Sequence, residues 1–293
     1  MVPVQDSHEP DVTIAMSVLN GGQYLVAAVR SVMAQTFTNW ELLIIDDGSS
    51  DLAIDDLASW VDDRVKIVRD GLNKGLATRL NEAVAMARGR YFARMDHDDV
   101  SHPQRLERQL AVMRDHPEVD LCGTFCLTMN AHDGLTGVWP AKEFHEEICR
   151  RPWLSIPMAH PTWLGKTSWF RANPYRVPAP YCSEDQELLL RAALTSRYHN
   201  CPEFLLAYRV RHRTPFGKNW KTRWAVCRFQ VGYFMRQRQY LNVALALAAT
   251  LARIGKDIHA FFFAKDEGPA LSGAWAPEVA SAWRALLDRY RAS

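Results

Sequence analysis

The chain has 293 residues, 48% hydrophobic and 23% charged, with a formal net charge of +2. That balance excludes a disordered or fibrous chain and bounds the fold to one large domain or two small ones. The six cysteines form no CxxC pair, and the first residues are polar and acidic without a charged-then-apolar leader. Together these predict free thiols and a cytoplasmic chain.

Residues 13–18 read as a strand, and residues 24–34 as a helix with Leu25, Ala28, Val29 and Val32 on one face. A second strand, 42–46, runs into Asp46, Asp47 and Gly48. Gly48 permits a tight turn, and Ser49, Ser50 or Asp51 is expected to cap a helix over 52–60. An acid at this strand end suits hydrogen bonding to a ribose or a base, against the plainer reading of an ordinary strand-to-helix turn. Residues 65–68 read as a strand and 76–87 as a helix. The strand at 91–95 then opens the most informative stretch, YFARMDHDD. Its apolar run ends in Asp96, Asp98 and Asp99, three carboxylates within four positions. Carboxylates so crowded repel one another unless a cation neutralises them, and a hard divalent cation holding a substrate phosphate meets that need. A solvated acidic turn is the other reading. Pro103 is expected to start a helix whose face is Leu106, Leu110 and Met113. Strand–helix alternation at this spacing predicts a doubly wound sheet.

Residues 119–213 mix short strands with one clear helix, 184–195, opened by Glu184 and Asp185. These acids serve either as a catalytic base or as stabilisers of a helix N-terminus. His160 precedes Pro161 and is expected to be extended, either orienting a ligand or packed as a structural histidine. Trp153, Trp163 and Trp169 are either a sugar-stacking wall or core. The segment VLNGGQYL after the first strand lacks GxGxxG, and no GxxxxGK[ST] occurs. A dinucleotide oxidoreductase and a P-loop NTPase are thereby disfavoured, which leaves an acid-bound metal to meet phosphate charge. Thr214-Pro215 and Gly217 mark a junction to a helical, basic end. Between residues 205 and 265 stand twelve Lys or Arg and one acid, Asp257, so the rest of the chain is net acidic. Aromatics such as Trp220, Trp224 and Phe229 interleave with Lys221, Arg223 and Arg228. The pattern suits an anionic membrane surface, against a solvated helix packed by one face. Nucleic acid is not expected, because no nucleic-acid fold signature is present. The most apolar stretch, 241–252, is too short to span and is followed by Arg253, Lys256 and Asp257.

The motifs Asn20-Gly21-Gly22, RSVMAQTFTNWELLIIDDGSSD, Asn73-Lys74-Gly75-Leu76-Ala77, RMDHDD, AHPT at 159–162, SEDQELLLR at 183–191 and AYRVRH at 207–212 occur in this order. Taken together they resemble family 2 glycosyltransferases over about residues 11–213. The resemblance implies a GT-A fold, a Rossmann-like doubly wound mixed sheet. Its parts would be an N-terminal tail (1–10), a nucleotide-binding half (11–120), an acceptor half (121–213) and a helical, basic C-terminal extension (214–293). It implies an inverting hexosyltransferase of surface polysaccharide synthesis. The partners would be a nucleotide-sugar donor, commonly a UDP-hexose, and a glycan or lipid-linked acceptor. Asp96 and Asp98 match the DxD motif that addresses Mn2+ or Mg2+ and the donor, with Asp99 completing DxDD and His97 between them. Asp46 or Asp47, beside Gly48, matches the acid on uracil or ribose. Val18 and Asn20 match the loop lining the base, and Arg79 a basic position near the nucleotide. Glu184 and Asp185 match the ED motif, with Asp185 as general base. His212 matches a late histidine that joins the metal shell in related enzymes, although Arg211 is inserted beside it. Gln186, Glu187 and Leu189 depart from the family pattern after ED, which bears on the acceptor. The implied place is peripheral, on the inner face of the plasma membrane. A catalytically silent scaffold subunit and a nucleotidyltransferase are the alternatives; the second would want a Gly- and Arg/Lys-rich loop after the first strand.

Overall fold

Alternation along the first strand sets up both faces of the sheet. In β1 (Val12–Val18), Ile14, Met16 and Val18 join one apolar cluster while Ala15 joins the other. The computed structural model describes residues 9–210, 216–263 and 277–292. After β1 come α1 (Tyr24–Met33), β2 (Trp40–Asp46), α2 (Ala53–Leu57), β3 (Val65–Val68), α3 (Leu76–Met86) and β4 (Tyr91–Arg94). β1 pairs in parallel with β2 and β4, and β2 with β3. All three loops that follow β1, β2 and β4 therefore open at one edge, where an open parallel sheet binds ligands.

The second half is mixed. It runs β5 (Val100–Ser101), α4 (Arg105–Asp115), β6 (Leu121–Met129), β7 (Leu135–Val138), α5 (His145–Ile148), a 3-10 turn His160–Thr162, β8 (Leu164–Lys166), α6 (Thr167–Ala172), α7 (Glu184–Ala192) and β9 (Tyr198–Arg209). β8 is antiparallel to both β4 and β6, and β6 is parallel to β9. The sheet order is β3-β2-β1-β4-β8-β6-β9-β5, with β7 on β6. One face carries α1, α2 and α4 and the other α3, α6 and α7, so the doubly wound mixed sheet expected from the alternation is present.

Three helices follow: α8 (Phe216–Arg236), α9 (Tyr240–Phe263) and α10 (Pro277–Ala292). They pack on the sheet's layers. Phe234 of α8 is buried in the cluster that holds Leu188 and Leu189 of α7, and Gln230 Nε2 donates to the Pro152 carbonyl at 3.0 Å. Trp283, Leu287 and Tyr290 of α10 pack with Val100, Leu127 and Met129. Among the described residues no helix is long and apolar enough to cross a membrane.

Several expectations change. The helix at 52–60 spans only Ala53–Leu57 and has no side-chain cap, because Ser49, Ser50 and Asp51 reach back to the loop after β1. α4 begins at Arg105, two residues after Pro103, whose carbonyl accepts from Thr36 N at 2.8 Å. α7 ends at Ala192 rather than at 195. His160 opens a 3-10 turn instead of lying extended. Gly217 lies inside α8, so it does not break the chain there, and Thr214-Pro215 falls outside the described residues. Trp163 and Trp169 are core, and Trp153 packs against it.

The turn into β4 is tight. Gly89 N donates to Thr13 Oγ1 at 2.9 Å, and Thr13 Oγ1 donates to the buried Glu41 carboxylate at 2.8 Å. A Cβ on Gly89 would stand 2.5 Å from Thr13 N and 2.7 Å from Val12 C. Both are backbone atoms of the central strand and cannot swing away. Gly89→Ala is therefore expected to destabilise the fold by about 1–3 kcal/mol, the usual cost of overpacking. Denaturant unfolding followed by circular dichroism reads this directly, and an unchanged midpoint would contradict it.

Candidate active site

The loops beyond β1, β2 and β3 are stapled to one another. Asn20 has a positive φ of 53° and accepts from Ser50 N at 2.8 Å, while its own N donates to Ser49 Oγ at 3.0 Å. Gly22 N donates to Asp51 Oδ2 at 2.8 Å, and Asp47 N to the Val18 carbonyl at 2.7 Å. Gly48 has φ 81°, and a Cβ there would meet Asn73 N and Leu72 C at 3.1 Å, so the third loop closes directly over it. Asp46 Oδ1 accepts from Ser49 N at 2.8 Å, with Arg69 Nε 3.7 Å from its other oxygen. Asp47 accepts from the amides of Lys74 and Gly75 and from Arg79 Nε at 2.9 Å. Arg79 is 1% exposed and also bonds Asp70, Glu82 and the Leu72 carbonyl.

The second acidic cluster sits at the end of β4. Oxygens of Asp96, Asp98 and Asp99 lie within 4.8 Å of one another. Arg94, the last residue of β4, is buried beneath them and pairs with Asp96 Oδ1. Asp99 Oδ1 accepts from Arg209 N at 2.7 Å, while its buried Oδ2 has no partner. Burial, then the neighbouring Asp96, pushes the Asp98 carboxyl up; burial, then Asp96 and Asp98, pushes that of Asp99 well up. Carboxyls so raised are short of positive charge, and an orphaned buried oxygen adds an unused donor. The set fits a hard, oxygen-seeking divalent cation. His97 Nδ1 lies 3.3 Å from the Ser17 carbonyl, beside this cluster.

Facing it is the start of α7. Burial, then Asp185, raises the Glu184 carboxyl to about 7, and burial likewise raises Asp185. Asp185 Oδ2 accepts from Gln186 Nε2 at 3.3 Å, and Gln186 is fixed by both backbone groups of Ile156. The two acidic groups share one space. Tyr175 feels Glu184, Asp185 and Asp96, and Tyr208 feels Asp96, Asp99 and Asp185. His160 Nε2 lies 2.7 Å from Tyr175 Oη; burial, then Arg94, holds its imidazole well below the ordinary value and therefore neutral.

The structure thus gathers Asp96, His97, Asp98, Asp99, Glu184 and Asp185 in one region and Asn20, Asp46, Asp47 and Gly48 in the adjoining loops. Val18 is fully buried, and its carbonyl is taken by Asp47 N. Arg79 turns its guanidinium inward, onto Asp47, instead of presenting it to a ligand. His212 lies outside the described residues. Arg94, Tyr208 and Arg209 lie inside the quoted motifs RMDHDD and AYRVRH without a role of their own there, and Tyr175 lies in none. For Arg94 a signal existed: a cation inside a buried strand, two residues before an Asp pair.

The family described as "Glycosyl transferase family 2" matches residues 13–172. An uncharacterized glycosyltransferase of Haemophilus influenzae is 27% identical over 213 residues, covering 69% of this chain and 66% of the relative. The UDP-Glc:alpha-D-GlcNAc-diphosphoundecaprenol beta-1,3-glucosyltransferase WfgD of Escherichia coli is 37% identical over 102 residues, 35% of this chain and 40% of WfgD. The chain thus spans just under two thirds of the first of these relatives and less of the second. Among solved structures, S. aureus TarS 1–349 in complex with UDP-GlcNAc superposes with a TM-score of 0.66 at 16% identity, covering 96% of this chain and 80% of that one. A mannosyltransferase from Pyrobaculum calidifontis in complex with GDP-Man and Mn2+ gives 0.59 at 16% identity, covering 98% and 83%. At such identity the likeness is one of fold, and the fold is GT-A.

The raised Glu184 carboxyl makes stability depend on pH. Between its ordinary 4.5 and about 7 the folded chain holds a proton that the unfolded chain has lost. Stability therefore falls as pH rises through that window. Glu184→Gln removes the effect and is expected to stabilise the metal-free protein above pH 7, on the order of 1–3 kcal/mol, with little change near pH 4.5. Melting temperatures in EDTA near pH 5 and pH 8 check the sign. An equal shift at both values would contradict it.

Proposed function

The chain belongs to glycosyl transferase family 2, and from that premise we propose that it moves a hexose from a UDP-sugar to a hydroxyl of a glycan or lipid-linked acceptor, with inversion. The observation that carries this reading is the facing pair of acidic groups, Asp96/Asp98/Asp99 at the sheet edge and Glu184/Asp185 on α7. WfgD, by its name, uses UDP-Glc and a diphosphoundecaprenol acceptor, which supports both classes chosen, and TarS binds UDP-GlcNAc, which supports the donor class.

In this reading residues 11–213 are the catalytic unit. The stapled loops at Asn20, Asp46–Gly48 and Asn73–Gly75 hold the nucleoside, with Arg79 positioning Asp47. Asp96 and Asp98, backed by Asp99, would hold Mn2+ or Mg2+. That ion supplies positive charge where the departing nucleoside diphosphate becomes more negative. Asp185 takes the proton of the acceptor hydroxyl, whose ordinary pKa is far above 7, as the oxygen attacks the anomeric carbon from the face opposite the leaving group. Its raised carboxyl is suited to this, since a stronger base holds the proton better. Gln186, locked to Ile156, fixes where Asp185 points.

Helices α8 and α9, within the basic and aromatic tract 205–265, serve as the membrane-facing part. Trp220, Trp224 and Met235 on α8 are exposed, as are Leu247, Leu251 and Ile258 on α9. The last three fall at i, i+4 and i+11, on one side of that helix. With the basic residues around them they fit a peripheral seat on the inner face of the plasma membrane.

Three measurements test the reading. UDP affinity, by calorimetry with Mn2+, is expected to drop at least tenfold on adding EDTA or in Asp98→Asn; an unchanged affinity would remove the metal role. Asp185→Asn is expected to lose transfer by about a hundredfold or more while UDP still binds, because a general base acts only in the transition state. Wild-type turnover in that variant would place the base elsewhere. In liposome flotation the protein is expected to bind anionic vesicles and to leave them near 1 M salt, where the screening length is about 3 Å. Equal binding to neutral vesicles would contradict an electrostatic seat.

A further inference from the structure

A cavity of about 780 Å³ lies between the segment 176–181, α7 and α8. Four arginines line it: Arg176, Arg191, Arg228 and Arg236. Its one carboxylate, Glu187, is already engaged by Arg191 Nε at 3.1 Å. Arg176, Arg228 and Arg236 have no carboxylate partner among the described residues. The cavity is therefore a place of uncompensated positive charge.

Its layout comes from two rows along α8. Trp224, Arg228, Gly232 and Arg236 recur at i, i+4, i+8 and i+12, and Phe229 and Tyr233 form the adjacent row. Gly232 leaves a gap between the two cations. A Cβ there would meet only Arg236 Nη1, at 3.6 Å, so this guanidinium lies over the glycine. Several cations thus line one cavity around an open floor at Gly232, with aromatic rings beside them. Such a surface matches an anion of more than one charge that carries an apolar chain. Arginine forks suit phosphate oxygens, and the rings suit hydrocarbon.

We propose that this cleft binds the diphosphate and the first apolar units of a lipid diphosphate, the carrier of the acceptor sugar. The inference rests on the transfer reading above and adds where the acceptor's carrier sits. The connection runs through α7. Glu184, Glu187 and Arg191 fall at i, i+3 and i+7 on one face of that helix. Arg191 is about 10 Å along the axis from Glu184. A sugar attached to a diphosphate in the cleft thus points along α7 to the acids at its start.

Calorimetry with farnesyl diphosphate as probe tests this, with EDTA present so that the Asp96/Asp98 site is not engaged. Wild-type protein is expected to bind the probe. The double variant Arg228→Gln/Arg236→Gln is expected to weaken it at least tenfold with an unchanged melting temperature, since both side chains are exposed. Farnesol and inorganic pyrophosphate are each expected to bind at least tenfold more weakly than the probe, and Trp224→Ala to weaken the probe but not pyrophosphate. Equal affinity of the double variant and wild type would overturn the site. Pyrophosphate binding as tightly as the probe would overturn the lipid carrier in favour of a free diphosphate. Failure of the transfer reading shows separately, in Asp98→Asn and Asp185→Asn, because neither residue lines this cleft.

Discussion

Everything at the sheet edge depends on a shortage of positive charge. Five carboxyl groups, Asp96, Asp98, Asp99, Glu184 and Asp185, share one region with few buried cations. Arg94 pairs with Asp96, and Arg105 lies beneath, donating to the Arg94 carbonyl at 2.7 Å. Burial, then Arg94, pushes the Arg105 guanidinium down to about 10, so even the cations are under strain from one another. Arg94 Nε and Nη1 are buried without partners. A fold that needed only stability would not crowd groups this way, because an unpaired buried polar atom costs about 1–3 kcal/mol. The cost is consistent with a site kept ready for a charged ligand, since strained and unsatisfied groups concentrate where chemistry occurs.

The other acid-ended strand solves the same problem differently. Asp46 and Asp47 follow β2 much as Asp96 and Asp98 follow β4, yet they are fully engaged. Two loop amides and Arg79 surround Asp47, and Arg79 in turn ties Asp70 and Glu82. One edge of the site is therefore pre-organised and the other is left electrostatically hungry. A nucleoside needs a rigid, complementary surface, because ordering loops on binding would subtract from affinity. A metal and its phosphates need uncompensated charge. The two halves of the site match those two demands.

Much of this is legible in the sequence. The strands and helices of the first 120 residues follow from local periodicity, and both acid clusters lie at ends of apolar runs. What escaped is non-local. β6 pairs in parallel with β9 across some seventy residues, and β8 inserts between β4 and β6, with nothing in its three residues to announce it. Ser49, Ser50 and Asp51 have the chemistry of a helix cap, but the same oxygens serve the neighbouring loop, and only tertiary packing decides between them. Tyr175 and Tyr208 reach the site from distant segments, so no spacing could have named them. The motif gives Arg79 only as a basic position near the nucleotide; its inward direction is set by Asp47 and Asp70.

α7 joins these themes. Its first turn carries Glu184, Asp185 and Glu187, and its last turn Arg191, the arrangement a helix dipole favours. The acids would be tolerated there for stability alone. Yet Glu184 and Asp185 are raised rather than relaxed, because burial, and for Glu184 the neighbouring Asp185, outweighs the favourable helix end. At its other end the helix meets α8, whose arginines and rings were legible only as a basic, aromatic tract. Packing α8 against α7 turns that tract from a uniform surface into a cleft with one charged wall. The same helix thereby has a base-like end and a cation-lined end, separated by two turns. A substrate that is anionic at one end and nucleophilic at the other is the kind of molecule such a helix orients.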